Sequence, residues 1–107
     1  MSAFVLFDVR DVKDTEKLGQ YQSGVLETVN AYGGRYRVLG GQAELIEGSW
    51  AIGMPVLIEF PSRAKAEDWY RSDSYRPLLA LRREATEGAA LLIDGCEHPP
   101  KALSPDG

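Results

Sequence analysis

The sequence predicts an α+β domain in which a four-stranded antiparallel sheet carries its helices on one face. Short runs rich in Val, Ile, Leu and Phe alternate with stretches whose apolar residues recur every three or four positions. Gly and Pro pairs separate these segments, whose order is strand, helix, strand, strand, helix, strand.

Ala3 to Val9 reads as a first strand, apolar on both faces. Asp14 or Thr15 then offers an N-cap, and Leu18, Tyr21, Val25, Val29 and Tyr32 form the apolar stripe of a helix. Gly33-Gly34 stops that helix. Arg35 to Leu39 is a short strand, Gly40-Gly41 a bend, and Ala43 to Ile46 its continuation or bulged partner. Glu47 to Gly53 is a loop, and Met54 to Phe60 is the strongest strand in the chain. Ser62 caps a second helical region carrying Ala66, Trp69, Tyr70, Leu78, Leu79 and Leu81, broken in two around Ser72-Asp73-Ser74. Gly88 is expected to close it, with Ala89 to Asp94 as the last strand.

This order is the split βαβ, or ferredoxin-like, βαββαβ arrangement. Helices cover one face of such a sheet, so the other face should alternate to polar residues. Phe4-Leu6, Val56-Leu57-Ile58 and Leu91-Leu92-Ile93 are instead apolar at both parities. No residues remain to build another layer, so a second copy is expected, sheet against sheet, in a twofold homodimer: a dimeric α+β barrel. Residues 1–95 form the single domain, and 96–107 a Pro-rich C-terminal tail.

Composition narrows the function. A net charge of −4, with the basic residues scattered, argues against nucleic acid as partner. Arg82-Arg83 reads as a solvated helix face. Cys96 is the one cysteine and His98 the one histidine, which cannot supply a multi-ligand metal shell, so no metal and no cofactor is expected. No basic leader and no apolar run near the ~20 residues of a membrane helix is present, and the expected location is the cytoplasm, away from the membrane. No P-loop, dinucleotide fingerprint or nucleophile elbow occurs.

Tyr32-Gly33-Gly34-Arg35-Tyr36, Gly40-Gly41, Leu45, Glu47-Gly48, Trp50, Ile58-Glu59-Phe60-Pro61-Ser62, Trp69-Tyr70, Ser72, Tyr75 and Arg82 succeed one another in an order that resembles the DUF1330 family. This resemblance covers roughly residues 3–95. It implies the dimeric α+β barrel superfamily, whose wider membership includes cofactorless monooxygenases, polyketide cyclases and lactone isomerases. It also implies arginines where this chain has Leu39 and Met54, which shifts the expected ligand toward an apolar or weakly polar one. Arg37, two residues before Leu39, is expected to share its strand face and partly replace the missing charge.

Strand alternation groups Glu59 with Leu57 and Pro55, opposite Val56, Ile58 and Phe60. Glu59 is then expected to point between sheets, where apolar walls would raise its pKa and suit it to general acid or base work. An ion pair with Arg37 or Arg82 is the structural alternative. Asp8 is the candidate second acid, or else a solvated strand-end residue. Tyr21, Tyr32 and Tyr36 could orient a substrate oxygen, with Leu39, Met54 and Leu57 as apolar walls and Trp50 in a loop over the cavity. The expected activity is that of a cofactor-independent isomerase, cyclase or monooxygenase acting on a small polyketide-like molecule. A noncatalytic ligand-binding or structural dimer is the alternative.

Overall fold

Alternation in the first strand sets the architecture of the chain, whose residues 1–97 are described by a computed structural model. In β1 (Ala3–Val12), Ala3, Val5 and Phe7 are buried beneath the helices, while Phe4 and Leu6 face the other way. The 17-residue α1 (Thr15–Ala31) follows, its first turn capped by Asp14, whose carboxylate accepts from the Lys17 N–H. Strands β2 (Arg35–Leu39) and β3 (Met54–Phe60) are joined by an irregular segment, and α2 (Arg63–Tyr70) starts at Ser62, which accepts from the Lys65 N–H. A short turn leads to α3 (Arg76–Ala85), which passes directly into β4 (Thr86–Asp94).

The sheet order is β2-β3-β1-β4, antiparallel throughout, as the βαββαβ reading requires. Val56, Ile58 and Phe60 of β3 pack beneath the helices with Val5 and Phe7, while Pro55, Leu57 and Glu59 lie on the open face beside Asp8, Leu6 and Phe4. On β4, Leu91 and Ile93 extend this open face and are 54% and 43% exposed.

Trp69 closes the core. It is fully buried, its ring centroid 4.1 Å from Tyr75 and 5.3 Å from Phe60, and its indole N–H donates to Thr28 Oγ1 at 3.0 Å. One side chain thereby ties α2 to β3, to α1 and to the residue that leads into α3.

Two expectations about elements need correction. Ala43 to Ile46 forms no strand, because β2 ends at Leu39 on the sheet edge, where no further strand is available to pair with. Gly88 does not end the last helix. That helix stops at Ala85, where Thr86 turns extended and its hydroxyl donates to the Arg82 carbonyl. Gly88 lies within β4, where a Cβ would collide with the Asp8 carbonyl oxygen. Of the expected tail, Cys96 and Glu97 are described, while His98 and the residues after it lie outside the described residues.

Asp8 holds the β2–β3 connection in place. Though on the open face, it is only 4% exposed, because the Gly53 N–H (2.8 Å), the Arg10 Nε (2.8 Å) and the Trp50 indole N–H (3.2 Å) all donate to its carboxylate. Gly53 fits there because a Cβ would strike the Val9 carbonyl. Burial alone would raise the Asp8 pKa, but these donors, led by Gly53, hold it below the usual carboxylate value.

Two outcomes are expected from this packing. Trp69→Ala should cost about 4 kcal/mol in urea unfolding, in the range for emptying a fully buried aromatic site. Since the folded pKa of Asp8 is depressed, its contribution to stability is present above the unfolded value, near ~3.9, and is lost as pH falls through the folded value. Asp8→Asn should therefore lower Tm at neutral pH and flatten the drop in Tm on acidification below about pH 4, both read by thermal melts across pH.

Candidate functional site

The two faces of the sheet divide the candidate residues into two groups. On the open face, Arg37 Nε donates to Glu59 Oε1 at 2.7 Å, with the two side chains 49% and 27% exposed. The Arg37 hydrogen bond is the largest influence on Glu59 and, with help from Ser2 and Arg35, holds its pKa below the usual glutamate value against a modest desolvation. The expected upward shift is thus reversed: in this chain Glu59 is a charged ion-pair partner. Asp8, on the same face, is occupied by its three donors. Leu57 lies here too, opposite Leu6, and Trp50 fastens to Asp8.

Arg37 and Leu39 do not share a face. The β2–β3 register shifts between Tyr36 and Val38, so Leu39 pairs with Val56 in the row beneath the helices while Arg37 reaches Glu59 on the other side. Nor does Arg82 pair with Glu59, because α3 lies on the helical face.

That helical face holds a second group. Tyr21, Tyr36, Leu39 and Met54 line a narrow apolar cavity of about 60 Å³ between α1 and the sheet, together with Phe7, Val9 and Arg82. Phe7, Val9, Arg82 and Thr86 also wall a larger cleft of about 600 Å³ between the end of α3, Tyr70 and the β1–β4 pair. Tyr32 caps the far end of α1 and lines neither space.

Arg82 is the residue common to both spaces that carries charge, and the expectation that it lies on a solvated helix face is incorrect. Its guanidinium carbon sits 4.7 Å from the Phe7 ring centroid, and its Nε donates to the Tyr75 hydroxyl at 3.4 Å. Tyr75 in turn meets the Tyr21 hydroxyl at 2.9 Å. No ion pair among the described residues includes Arg82. Burial opposes its charge, but the Tyr75 and Tyr21 hydroxyls beside it hold its pKa above the ordinary arginine value. Burial also keeps the tyrosines protonated: Tyr36 is pushed up to about 12, and Tyr21 and Tyr75 are raised as well.

Sequence reasoning included Tyr21 and Tyr36 but missed Tyr75 and the role of Arg82. The signal was spacing. Arg82 falls seven residues after Tyr75, two helical turns along one side of α3, and four after Leu78, so its side chain returns to the core-facing surface.

Chemically, Arg82 presents a half-buried cation to a cleft of mixed polar and apolar lining, with the neutral Tyr75 phenol hydrogen-bonded behind it and the neutral Tyr21 phenol lining the narrow apolar cavity. Such a set can hold an oxygen atom and steady negative charge on it. No helix among the described residues is long and apolar enough to cross a membrane.

The fold is similar to that of a protein of unknown function from Rhodopseudomonas palustris, solved in methylated form, at a TM-score of 0.70 and 18% identity over 90% of this chain and 82% of that one. A hypothetical Arabidopsis thaliana protein is similar at a TM-score of 0.60 and 14% identity, over 96% of this chain and 89% of that one. A crystal structure described as an antibiotic biosynthesis monooxygenase is similar at a TM-score of 0.52 and 13% identity, over 91% of this chain and all of that one (100%). At these identities the likeness shows the fold. No curated protein matches the sequence. Residues 2–96 match the family described as Domain of unknown function (DUF1330), and the chain belongs to that family.

Proposed function

We propose that the protein is a homodimer that binds a small organic molecule in the helix-side cleft and acts on it without a cofactor, by isomerisation, cyclisation or oxygenation. The observation that carries this reading is Arg82, a cation with no ion-pair partner among the described residues, which lines both a cleft large enough for a metabolite and the narrow cavity that Tyr21 lines, with the buried Tyr75 hydroxyl bonded behind it. Polar groups taken out of water cost free energy, and in this reading Arg82 meets the substrate oxygen from the cleft, Tyr21 faces the narrow cavity and Tyr75 positions Arg82 from within the core. The monooxygenase description of one structural relative adds oxygenation to the reactions to test. In this reading the tyrosine and arginine cluster handles charge and protons, and Glu59 and Arg37 neutralise one another on the opposite face.

The homodimer rests on the open face. Phe4, Leu6, Leu57, Leu91 and Ile93 form an apolar surface on the side of the sheet away from the helices. A second copy, face to face, would bury it and enclose the Glu59–Arg37 and Asp8–Arg10 pairs.

A noncatalytic ligand-binding dimer is the second reading, favoured by the short Arg37–Glu59 contact, which removes Glu59 as a free acid or base.

Sedimentation at micromolar concentration is expected to give twice the 11.8 kDa chain mass, and Leu91→Glu to give a folded monomer. A folded wild-type monomer would refute the dimer. In methyl-detected NMR, an uncharged aromatic fragment such as benzamide is expected to shift Met54 and Val9 and leave Leu6 and Leu57 in place. Glu59→Gln should leave that pattern unchanged while lowering the melting temperature, because Arg37 loses its charged partner at the enclosed face. Shifts confined to Leu6 and Leu57 would place the ligand on the open face and contradict the reading.

A further inference from the structure

We infer that the ligand of the helix-side cleft carries an oxyanion, a carboxylate or an enolate, on an apolar body, an inference that rests on the cleft being the binding site. The balance of donors and acceptors points there. A guanidinium has no acceptor atom, so in the Arg82–Tyr75 contact the Tyr75 oxygen accepts. Tyr75 and Tyr21 then share one hydroxyl–hydroxyl contact at 2.9 Å, which needs one of their two hydrogens. The other hydrogen has no acceptor among the described residues, and neither do the terminal amino groups of Arg82. The cluster is therefore rich in donors and short of acceptors.

The nearby acids do not supply the deficit. Asp8 is committed to Gly53, Arg10 and Trp50, and Glu87 pairs with Lys13 at 3.5 Å. Asp11 lines the same cleft, but it is exposed, and no ion pair links it to Arg82. An anionic oxygen can accept several hydrogen bonds at once and neutralise Arg82, whereas a cationic group would add donors and like charge. The Phe7 ring fixes the guanidinium on one side, and the narrow extension along Val9, Leu39 and Met54 fits an apolar body. Leu39 and Met54 therefore shape the apolar end of the site, where Arg82 is the one charged residue of the lining; Arg10, paired with Asp8, and Arg83 line the wider cleft beyond it.

Benzoate, benzamide and benzamidinium share a shape and carry charges of one sign, none and the other, and calorimetric titration of the dimer with each separates the possibilities. Benzoate is expected to bind about tenfold tighter than benzamide, the ratio for one charge-assisted contact of ~1.4 kcal/mol, and benzamidinium to give no heat of binding. Arg82→Met should erase the preference, and Arg82→Lys should restore part of it. Tyr75→Phe, which keeps the buried ring, should weaken benzoate binding while circular dichroism stays unchanged. Benzamide binding as tightly as benzoate would overturn the oxyanion inference and leave the cleft as a site. Benzamidinium binding the tightest would overturn the inference as well, and no binding of any of the three to folded protein would overturn both readings.

Discussion

The packing of Trp69 is the constraint on which the rest of the structure depends. Its ring lies 4.1 Å from Tyr75 and 5.3 Å from Phe60, and its N–H reaches Thr28 on α1. A side chain of this size buried without exposure contributes several kcal/mol, and here it also fixes a direction. Tyr75 is the residue just before α3, so the indole that supports its ring also sets where its hydroxyl ends. That hydroxyl in turn determines the approach of Tyr21 and the position of Arg82. The hydrophobic core and the polar cluster are thus one packing problem.

The sheet separates two kinds of electrostatics. On the open face each principal charge is answered within the chain, Glu59 by Arg37 and Asp8 by Arg10, Trp50 and Gly53. Both carboxyls have depressed pKa values and stay charged near neutrality, which suits structure better than proton transfer. On the helical face Arg82 has an aromatic ring and a phenol for neighbours. Ion pairs that satisfy themselves leave nothing for a ligand to complete, whereas a half-buried cation without a counterion leaves a charge for a ligand to neutralise. That contrast, more than the size of either space, favours the helical face.

Much of the fold was legible because strand parity is a local property. Val56, Ile58 and Phe60 against Leu57 and Glu59 could be assigned from alternation alone, and Ser62 and Asp14 behave as caps should. What failed was nonlocal. The bulge at Arg37 shifts the register by one residue, and one residue is enough to send Leu39 to the opposite face from its neighbour's partner. Asp8 looked like a solvated strand end because Gly53 and Trp50, which bury it, are more than forty residues away in the chain. Arg82-Arg83 read as a charged surface pair, yet adjacent residues on a helix point some 100° apart, so one can reach inward while the other stays in water. Tyr21 and Tyr36 were found by composition; Tyr75 was missed because the turn before α3 breaks the periodicity that would have exposed it.

The central claim is that Arg82, and not Arg37, is the cation that meets the ligand. Nitrogen-15 NMR of the arginine side-chain Nε–H groups during titration with benzoate tests it most directly. The Arg82 signal should move and sharpen in proportion to bound ligand, with Arg37 unchanged in its pair with Glu59. Movement of Arg37 with Arg82 stationary would contradict the account and return the site to the open face of the sheet.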